Sequence, residues 1–562
     1  MLKALKMVLG IVLLLCASPS FAESVDTAWV RMYNGPGNNE DHASAIEVDG
    51  SGNVYVTGYG KGSGTDYDYA TIKYYSNGDT AWVRRYNGPG NIDDAAYGLS
   101  VDGSDNVYVT GASYGLGTSY DYATIRYFPN GDVAWVQRYN GPANSDDDAI
   151  AIAVDDSSYV YVTGSSKVSE TDWDYATIKY YPNGDTVWVR RYNGPGNSYD
   201  NASALAVDDS GYVYVTGYSE GSGTRYDYTT IKYTPGGDTV WVRRYNGPGN
   251  SDDYPNAIAI DGSKDVYVCG YSYGDVTEDD YAVIKYYPNG DTAWVRRYNG
   301  LYNSTDNAYA MVLDHSDNIY VTGSSYTGDD NTDYATIKYN SEGDSLWARL
   351  YEGPGNSDDV ARAIAVDDSD NIYVTGGSYG GIGTDNDFAT IKYHPNGDTA
   401  WIIRYNSPAN NSDAASAIAV DDSGNVYVTG TSYNALTYTD YTTIKYVKKP
   451  SAVKDEAESS GSPSEFTLSQ NYPNPFNPST TIHYTVHRPQ STARSPVPTT
   501  LRIYNVLGEV VRTLVNENKH PGSYSVQWDG KNDKGERSVS GVYFYQLKVG
   551  DQILANKMVL LK

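Results

Sequence analysis

Short apolar segments with polar residues at alternate positions recur along residues 26–446. Segments such as AIAVD and VYVTG are rich in β-branched and aromatic residues with a period of two, which favours β-strands. The intervening DDSGN and YPNGD segments hold Asn, Asp, Gly and Pro, which is typical of tight turns. No copy contains a stretch of helical periodicity, so the pattern excludes a helical solenoid.

The pattern is an internal repeat marked by tryptophan. The spacing between successive marker tryptophans is 53 residues six times and then 54. The eight tryptophans are Trp29, Trp82, Trp135, Trp188, Trp241, Trp294, Trp347 and Trp401. Each copy predicts four strands, and four strands in a period near 50 residues are typical of a propeller blade. The sequence therefore predicts an all-β fold with an eight-bladed β-propeller over residues 23–446.

The phase of the repeat predicts how the propeller closes. Small residues in AIAVD favour the innermost position, followed by VYVTG and YATIKY, with WVRRY outermost and its arginines facing water. The first tryptophan strand, 28–33, then has no partner before it in the chain. We expect it to complete the last blade beside 417–446, which covers two edges that would otherwise be open to aggregation.

The phrase AIAVDDSGNVYVTG resembles NHL-type and related bacterial β-propeller repeats. The resemblance covers roughly residues 26–446 and extends to all eight copies. Such families share a fold and not a function, so the resemblance implies shape and an extracellular setting only.

The N-terminus has the pattern of a secretory signal peptide over residues 1–22. Lys3 and Lys6 precede the apolar stretch 7–15, and Ser20-Phe21-Ala22 fits the small-residue rule for cleavage between Ala22 and Glu23. A lipid anchor on Cys16 is the alternative, which the bulky Leu15 disfavours. No later segment is long and apolar enough to span a bilayer, so we expect a secreted or cell-surface protein. The remaining Cys269 replaces a repeat threonine, which predicts a small buried residue.

The repeat ends near residue 446, and the composition changes. Residues 447–465 are charged, rich in serine and contain proline, which predicts a flexible linker. The matching phrases beyond it are NYPNPFNPST at 471–480, IYNVLGEVV at 503–511, WDGKNDKG at 528–535, SGVYFYQL at 540–547 and KMVLLK at 557–562. Residues 466–562 closely resemble the C-terminal sorting domain of type IX secretion cargo, apart from an enlarged loop at 487–500. That resemblance implies a small Ig-like β-sandwich recognised by the outer-membrane translocon.

Composition narrows the class of partner. The chain has 70 acidic and 41 basic residues, a net charge of −29, and the excess of acids lies in residues 23–446. This charge argues against nucleic-acid binding, which needs clustered lysine and arginine. The 59 tyrosines and 56 glycines favour short strands joined by turns.

The loops between VYVTG and YATIKY differ from copy to copy, and variable loops on a rigid frame are preferred places for binding. Exposed aromatic side chains there could stack on sugar rings or form protein contacts. The candidates are Tyr114, Trp173, Tyr273, Tyr326, Tyr379 and Tyr433. The alternative is that each tyrosine packs on the next blade and only its hydroxyl reaches water.

Acidic residues after the NGPGN phrase form a second candidate group. Carboxylates beside backbone carbonyls are calcium ligands, although the spacing matches no known calcium loop. The alternative is that these acids are solvated and keep the protein soluble. The group comprises Asp41, Asp93, Asp94, Asp146, Asp147, Asp148, Asp200, Asp252, Asp253, Asp306, Asp358, Asp359 and Asp413.

No catalytic constellation stands out. The six histidines lack metal-site spacing, and no G-x-S-x-G phrase sits on a strand-to-helix turn. Quinoprotein dehydrogenases resemble the repeat in blade count and in a tryptophan phrase, but their adjacent cysteine pair is absent. We therefore predict a monomeric, non-enzymatic binding scaffold without a cofactor, whose partners are the type IX machinery and a glycan or surface protein. The alternative is a secreted polysaccharide hydrolase or lyase, since paired acids are frequent.

Overall fold

The chain folds as two compact units, Met1–Ser451 and Ala452–Lys562. The computed structural model describes residues 23–169, 172–328, 331–381, 385–449, 468, 471, 479–486, 496–506, 508–520, 522–549 and 552–560. Regular structure in these ranges is entirely β. None of it is a helix long and apolar enough to cross a membrane. The predicted signal peptide and most of the predicted linker lie outside the described residues.

The first unit consists of repeated four-stranded sheets, eight in the ranges above, here numbered in chain order. The N-terminal strand is β1 (Val25–Tyr33). Sheets 1 and 2 contain β2 (Asp41–Val48), β3 (Val54–Lys61), β4 (Tyr67–Tyr74), β5 (Thr80–Tyr86), and β6 (Asp94–Val101), β7 (Val107–Tyr114), β8 (Tyr120–Tyr127), β9 (Val133–Tyr139). Sheets 3 and 4 contain β10 (Asp147–Val154), β11 (Val160–Ser169), β12 (Asp172–Tyr180), β13 (Thr186–Tyr192), and β14 (Asp200–Val207), β15 (Val213–Glu220), β16 (Tyr226–Tyr233), β17 (Thr239–Tyr245).

The remaining sheets of the first unit follow the same plan. Sheets 5 and 6 contain β18 (Asp253–Ile260), β19 (Val266–Tyr273), β20 (Asp279–Tyr286), β21 (Thr292–Tyr298), and β22 (Asp306–Leu313), β23 (Ile319–Gly328), β24 (Asn331–Tyr339), β25 (Ser345–Tyr351). Sheets 7 and 8 contain β26 (Asp359–Val366), β27 (Ile372–Tyr379), β28 (Asn386–Tyr393), β29 (Thr399–Tyr405), and β30 (Asp413–Val420), β31 (Val426–Asn434), β32 (Tyr438–Lys448) with β1.

Strand order within the sheets follows the predicted order. In sheets 1 to 7 each strand pairs with the next one in the chain. Sheet 8 has the order β1-β32-β31-β30, and β1 runs antiparallel to β32 with Trp29 opposite Lys445. This is the pairing of the first tryptophan strand that the repeat phase predicts. The first strands of successive sheets contact each other from β2 to β30, and β30 also contacts β2.

The core lies between neighbouring sheets. Tyr161, Tyr175 and Trp188 of sheet 3 pack against Val213 and Ile231 of sheet 4, for example. Burial of such aromatic and branched side chains is the main stabilising contribution at each junction. Cys269 is fully buried in the equivalent cluster between sheets 5 and 6, as predicted.

A β-bulge interrupts the first strand of every sheet. In sheet 2 the register shifts between Ala96 and Gly98, so Tyr97 has no partner on β7. A bulge redirects the side chain of its extra residue. The equivalent residues are Ser44, Ile150, Ser203, Asn256, Tyr309, Arg362 and Ser416. The identity of the bulge residue varies between sheets, whereas the residues on either side of it are alanine except for Gly98 and Pro255.

The second unit has two sheets in its described residues. The first pairs β33 (Thr480–Val486) with β36 (Gly522–Trp528), and the second has the order β35 (Val510–Lys519), β34 (Val497–Tyr504), β37 (Gly541–Val549), β38 (Gln552–Leu560). Their core includes Leu501, Trp528 and Tyr545. Asn471 is buried, and its backbone N–H donates to the Tyr545 hydroxyl at 2.8 Å. Most of the predicted 471–480 phrase lies outside the described residues.

Candidate functional site

The acids that begin the first strands are buried, so the expectation that they are solvated is wrong for this position. Asp200 is fully buried, and its carboxylate accepts a hydrogen bond from the Gly194 backbone at 2.5 Å. Burial raises the pKa of Asp200 to about 6. The carboxylate thus fixes the preceding NGPGN loop. Equivalent bonds are made by Asp41, Asp94, Asp147, Asp253, Asp306, Asp359 and Asp413.

A second repeated acid binds the second arginine of the WVRRY phrase. Arg138 lies 2.7 Å from Asp121, and its guanidinium also donates to the Tyr86 hydroxyl at 3.0 Å. The prediction that both arginines face water is therefore wrong for this one. Six sheets contain the ion pair, while Leu350 in sheet 6 and Met32 in sheet 8 replace the arginine.

Calcium binding by these acids stays a prediction. The described residues contain no group of three or more His, Cys, Asp or Glu side chains arranged to hold a metal. Most of the carboxylates predicted after the NGPGN phrase have protein partners, as the hydrogen bonds to the loop backbone illustrate.

The five predicted loop tyrosines lie beside the NGPGN loops. Tyr114 packs edge-on against Tyr120 at 5.4 Å. A Cβ on Gly90 would lie 2.6 Å from Cδ1 of Tyr114, so the loop approaches this ring too closely for any other residue. Tyr273 and Tyr379 approach Gly249 and Gly355 in the same way. The other two, Tyr326 and Tyr433, donate their backbone N–H groups to buried aspartates, and the ring of Tyr326 packs edge-on against Tyr302.

Trp173 occupies a different position. It lies near the start of the third strand of its sheet, directly before the repeated Asp. The aligned residues are Tyr67, Tyr120, Trp173 and Tyr226 in sheets 1 to 4, and Asp279, Thr332, Asn386 and Thr439 in sheets 5 to 8. Aromatic rings at this position are thus confined to the first half of the unit. The one-sided distribution is the feature that sequence reasoning missed. This distribution could have been found in the sequence by comparing, copy by copy, the residue directly before the Asp of the DYATIKY phrase.

A cleft of about 490 Å³ lies along these aromatic residues in sheets 1 to 3. We call it the aromatic cleft. Its side-chain lining consists of Tyr59, Tyr67, Tyr97, Tyr120, Trp173, Ala95, Ala112, Asp93, Asp146 and Asp148. A smaller cleft of about 260 Å³ shares Trp173 and Asp148 with it and continues to Tyr199 and Tyr218 in sheet 4. Aromatic surface with a few polar groups is the usual composition of a ligand site.

The β-bulge and the pairing of rings position the aromatic side chains. Tyr97 is the bulge residue of β6 and is 38% exposed. Tyr59 and Tyr67 meet edge to face, with ring centroids 5.4 Å apart. Lys167 holds its ammonium 5.6 Å from the centroid of the Trp173 ring. The cleft therefore presents rings that are fixed by packing before any ligand arrives.

The electrostatics of the aromatic cleft are negative. Burial, with Asp146 and Asp147 nearby, raises the pKa of Asp148 to about 6. Burial and the Asp148 carboxylate raise the pKa of Tyr97 to about 12, and burial with the carboxylates of Asp93 and Asp148 raises the pKa of Tyr120. The lining of the aromatic cleft in the described residues includes no lysine or arginine, and Lys167 lies at its border, 3.6 Å from Asp146.

A separate notch of about 370 Å³ lies where β1 and β32 bring residues 23 and 448 together. Glu23 pairs there with the buried Lys392 at 2.7 Å and with Lys448 at 3.1 Å. These ion pairs lower the pKa of Glu23 against the opposing effect of burial. Ala22, the other predicted cleavage residue, lies outside the described residues.

Two family models match parts of the chain. A β-propeller repeat model matches residues 134–169, 187–223, 240–276, 346–383 and 403–436. An Ig-like domain model named for FlgD matches residues 485–552. The first unit is a β-propeller scaffold with an Ig-like domain after it, and neither matching model describes a catalytic family.

Similar proteins were found in sequence and in structure. An uncharacterized WD repeat-containing protein of Acanthamoeba polyphaga mimivirus is 24% identical over 381 residues, which are 59% of this chain and only 24% of that protein's length. A structure of PorZ, a surface component of the type IX secretion system of Porphyromonas gingivalis, is 12% identical with a TM-score of 0.28, covering 92% of this chain and 81% of PorZ. An α-L-arabinanase of Penicillium chrysogenum is 8% identical with a TM-score of 0.36, covering 62% and 92%. Similarity at this level indicates nothing about the activity of this chain.

Proposed function

We propose that the eight sheets form the blades of one closed propeller. The support is the pairing of β1 with β32, the contact of β30 with β2, and one cavity of about 570 Å³ lined from six sheets. Ile150, Ser203, Asn256, Tyr309, Arg362 and Ser416 line that cavity, and all are bulge residues of first strands. Electron-microscopy class averages of the purified mature chain are expected to show eight blades around an axis. Averages with an open arc would overturn the closure.

We propose that this propeller is a binding scaffold whose ligand occupies the aromatic cleft. The observation that carries the proposal is that, at the position directly before the repeated Asp of the third strands, aromatic residues are confined to sheets 1 to 4. A packing requirement would recur in all eight copies, as the tryptophans do. A one-sided set of rings around a cleft points instead to recognition.

The test is binding of the mature chain, residues 23–562, to glycan and protein arrays. The combined variant Tyr97→Ala, Tyr120→Ala and Trp173→Ala is expected to lose the array signals. The matched control changes the loop tyrosines Tyr273, Tyr379 and Tyr433 to alanine and is expected to keep them. Loss of signal in the control alone would place the site on the loops and overturn the cleft.

The same purified protein also tests the alternative that the chain is a polysaccharide hydrolase or lyase. Two carboxylates, Asp146 and Asp148, lie in the aromatic cleft, and paired carboxylates are what glycoside hydrolysis requires. Incubation of the mature chain with a broad set of polysaccharides is expected to release no reducing ends. Turnover that the Asp148→Asn variant abolishes would replace the binding function by an enzymatic one.

We propose that the protein is exported and that the second unit directs type IX secretion to the cell surface. The support is the signal-peptide pattern at 1–22 and the sorting-domain phrases between 471 and 562. A secreted reporter fused to residues 466–562 is expected to reach the medium or surface of a bacterium that has the type IX translocon. Equal export from a mutant lacking the translocon would overturn this part of the proposal.

A further inference from the structure

Asp148 is the carboxylate of the aromatic cleft that the protein leaves without a partner. It is half-buried on β10 and lines both the aromatic cleft and its extension toward sheet 4. Within the described residues it makes no hydrogen bond and no ion pair. A partly desolvated charge without a partner is costly, so the position is not explained by the stability of the fold.

The two neighbouring acids of the cleft differ from Asp148 in this respect. Asp93 accepts a hydrogen bond from the Tyr67 backbone at 3.3 Å. Asp146 accepts one from the Ser119 hydroxyl and lies 3.6 Å from the Lys167 ammonium. The protein therefore satisfies two of the three carboxylates, and the third faces the space that a ligand would occupy.

Aromatic rings accompany this carboxylate. Tyr97, Tyr120 and Trp173 line the same cleft. The faces of such rings carry negative potential and attract ammonium and guanidinium groups. Lys167 already lies over the Trp173 ring at 5.6 Å, so a cation is favoured against this ring in the protein itself.

Building on the binding function proposed above, we infer that the aromatic cleft binds an organic cation, an ammonium or guanidinium group that pairs with Asp148 between Tyr97, Tyr120 and Trp173. A neutral sugar could stack on the rings but would leave the Asp148 charge without a counterion. A volume of about 490 Å³ is large enough for an amine or for the end of a lysine or arginine side chain. The cation can come from a protein side chain or from an amino sugar, since both present the same charged nitrogen.

The test compares cations with neutral molecules of the same shape by isothermal titration calorimetry of the mature chain. Choline is compared with 3,3-dimethylbutanol, Nα-acetyl-arginine amide with Nα-acetyl-citrulline amide, and glucosamine with glucose. We expect at least one cation to bind ten times more tightly than its neutral counterpart. The pair with the largest ratio identifies the source of the cation, and equal affinities in all three pairs would overturn the inference.

The variant Asp148→Asn is expected to weaken binding of the preferred cation at least fivefold and to leave the neutral counterpart unchanged. The matched control is Asp156→Asn, an exposed acid in the turn at the end of the same strand. Cation binding unaffected by Asp148→Asn would place the cation elsewhere. If the triple aromatic variant abolishes array binding while cations have no advantage, the binding function stands and the inference about charge fails.

Discussion

Tyr441 of the last sheet donates its phenolic hydrogen to the backbone carbonyl of Ala70 in the first sheet, 3.2 Å away. The same bond recurs at six other junctions between successive sheets, for example from Tyr281 to Ala335 at 3.0 Å. Between sheets 7 and 8 the donor is missing, because Phe388 occupies the tyrosine position. The residues that join sheets along the chain thus also join the last sheet to the first.

Substitution of this tyrosine measures the strength of the junction. Tyr441→Phe removes one buried hydrogen bond and is expected to lower the free energy of unfolding by about 1 kcal/mol. The reverse change, Phe388→Tyr, supplies the missing donor to the backbone carbonyl of Thr442. It is expected to raise the free energy of unfolding by a similar amount. Chemical denaturation followed by tryptophan fluorescence measures both.

Tyr281→Phe is the internal control, since its junction is also held by continuous chain. If Tyr441→Phe and Tyr281→Phe both leave the denaturation midpoint unchanged, the hydrogen bonds between sheets contribute nothing measurable.

The first strand is expected to act as the closing element of sheet 8. Trp29 is 7% exposed, and its ring lies 5.9 Å from Tyr74 of sheet 1 and 6.2 Å from Tyr427 of sheet 8. Trp29→Ala is expected to cost about 3–5 kcal/mol and to release β1. Limited proteolysis is expected to cut the variant first within residues 25–33.

Trp82→Ala provides the matched comparison for this strand. Trp82 is equally buried and makes the equivalent indole hydrogen bond, but its strand is continuous with the chain on both sides. Early cleavage near residue 82 in that variant, at the rate seen for Trp29→Ala, would contradict a special closing function of β1.

Stability of the first unit is expected to fall as the pH rises from about 4 to about 7. Burial raises the pKa of Asp41 to about 7 and that of Asp147, Asp200 and Asp253 to about 6, from 3.8. A carboxyl with a raised pKa binds its proton more tightly in the folded state, so its contribution is complete at low pH and is lost as the pH rises toward the folded pKa. Thermal midpoints across this range measure the loss. The Asp41→Asn variant is expected to show a smaller fall in the thermal midpoint near pH 7.

The opposite trend is expected at acidic pH. Hydrogen bonds from Asn106 and Tyr108 contribute to lowering the pKa of Asp102, against the opposing effect of burial. A carboxyl with a lowered pKa stabilises the fold above its unfolded pKa and loses this contribution as the pH falls. We therefore expect maximal stability near about pH 4, and a midpoint that does not vary with pH would contradict both trends.

Much of the sheet arrangement could be predicted from the sequence because it depends on spacing. Strand order within each sheet and the pairing of β1 with β32 follow from the phase of the tryptophan repeat alone. The burial of Asp200 was not predicted, because Asp after a Gly-rich turn has the composition of a solvated loop. Only the structure places the Gly194 backbone where that carboxylate can accept its hydrogen.

The candidate site was predicted less well, because sequence comparison between copies directed attention to loop length and composition. Trp173 was selected for being an aromatic in a variable loop, yet its importance comes from alignment with Tyr67 and Tyr120 at the start of a strand. Tyr97 was missed, because nothing in a linear pattern marks a β-bulge that redirects a side chain into a cleft.

Binding of an organic cation in the aromatic cleft is expected to depend on pH. The charged and titratable groups around Asp148 are the carboxylates of Asp93, Asp146 and Asp147, the Lys167 ammonium and the phenols of Tyr97 and Tyr120. The tyrosines stay neutral below pH 9, whereas Asp147, with a pKa of about 6, titrates in the same range as Asp148. Because the pKa of Asp148 is about 6, its charge is mostly absent at pH 5 and complete at pH 7.5. Affinity for the preferred cation should rise about tenfold over that range. A cation that keeps its own charge throughout, such as choline, excludes titration of the ligand, and the Asp148→Asn variant separates Asp148 from Asp147. The Asp148→Asn variant should show no such rise, and a rise of equal size in that variant would assign the titration to another group.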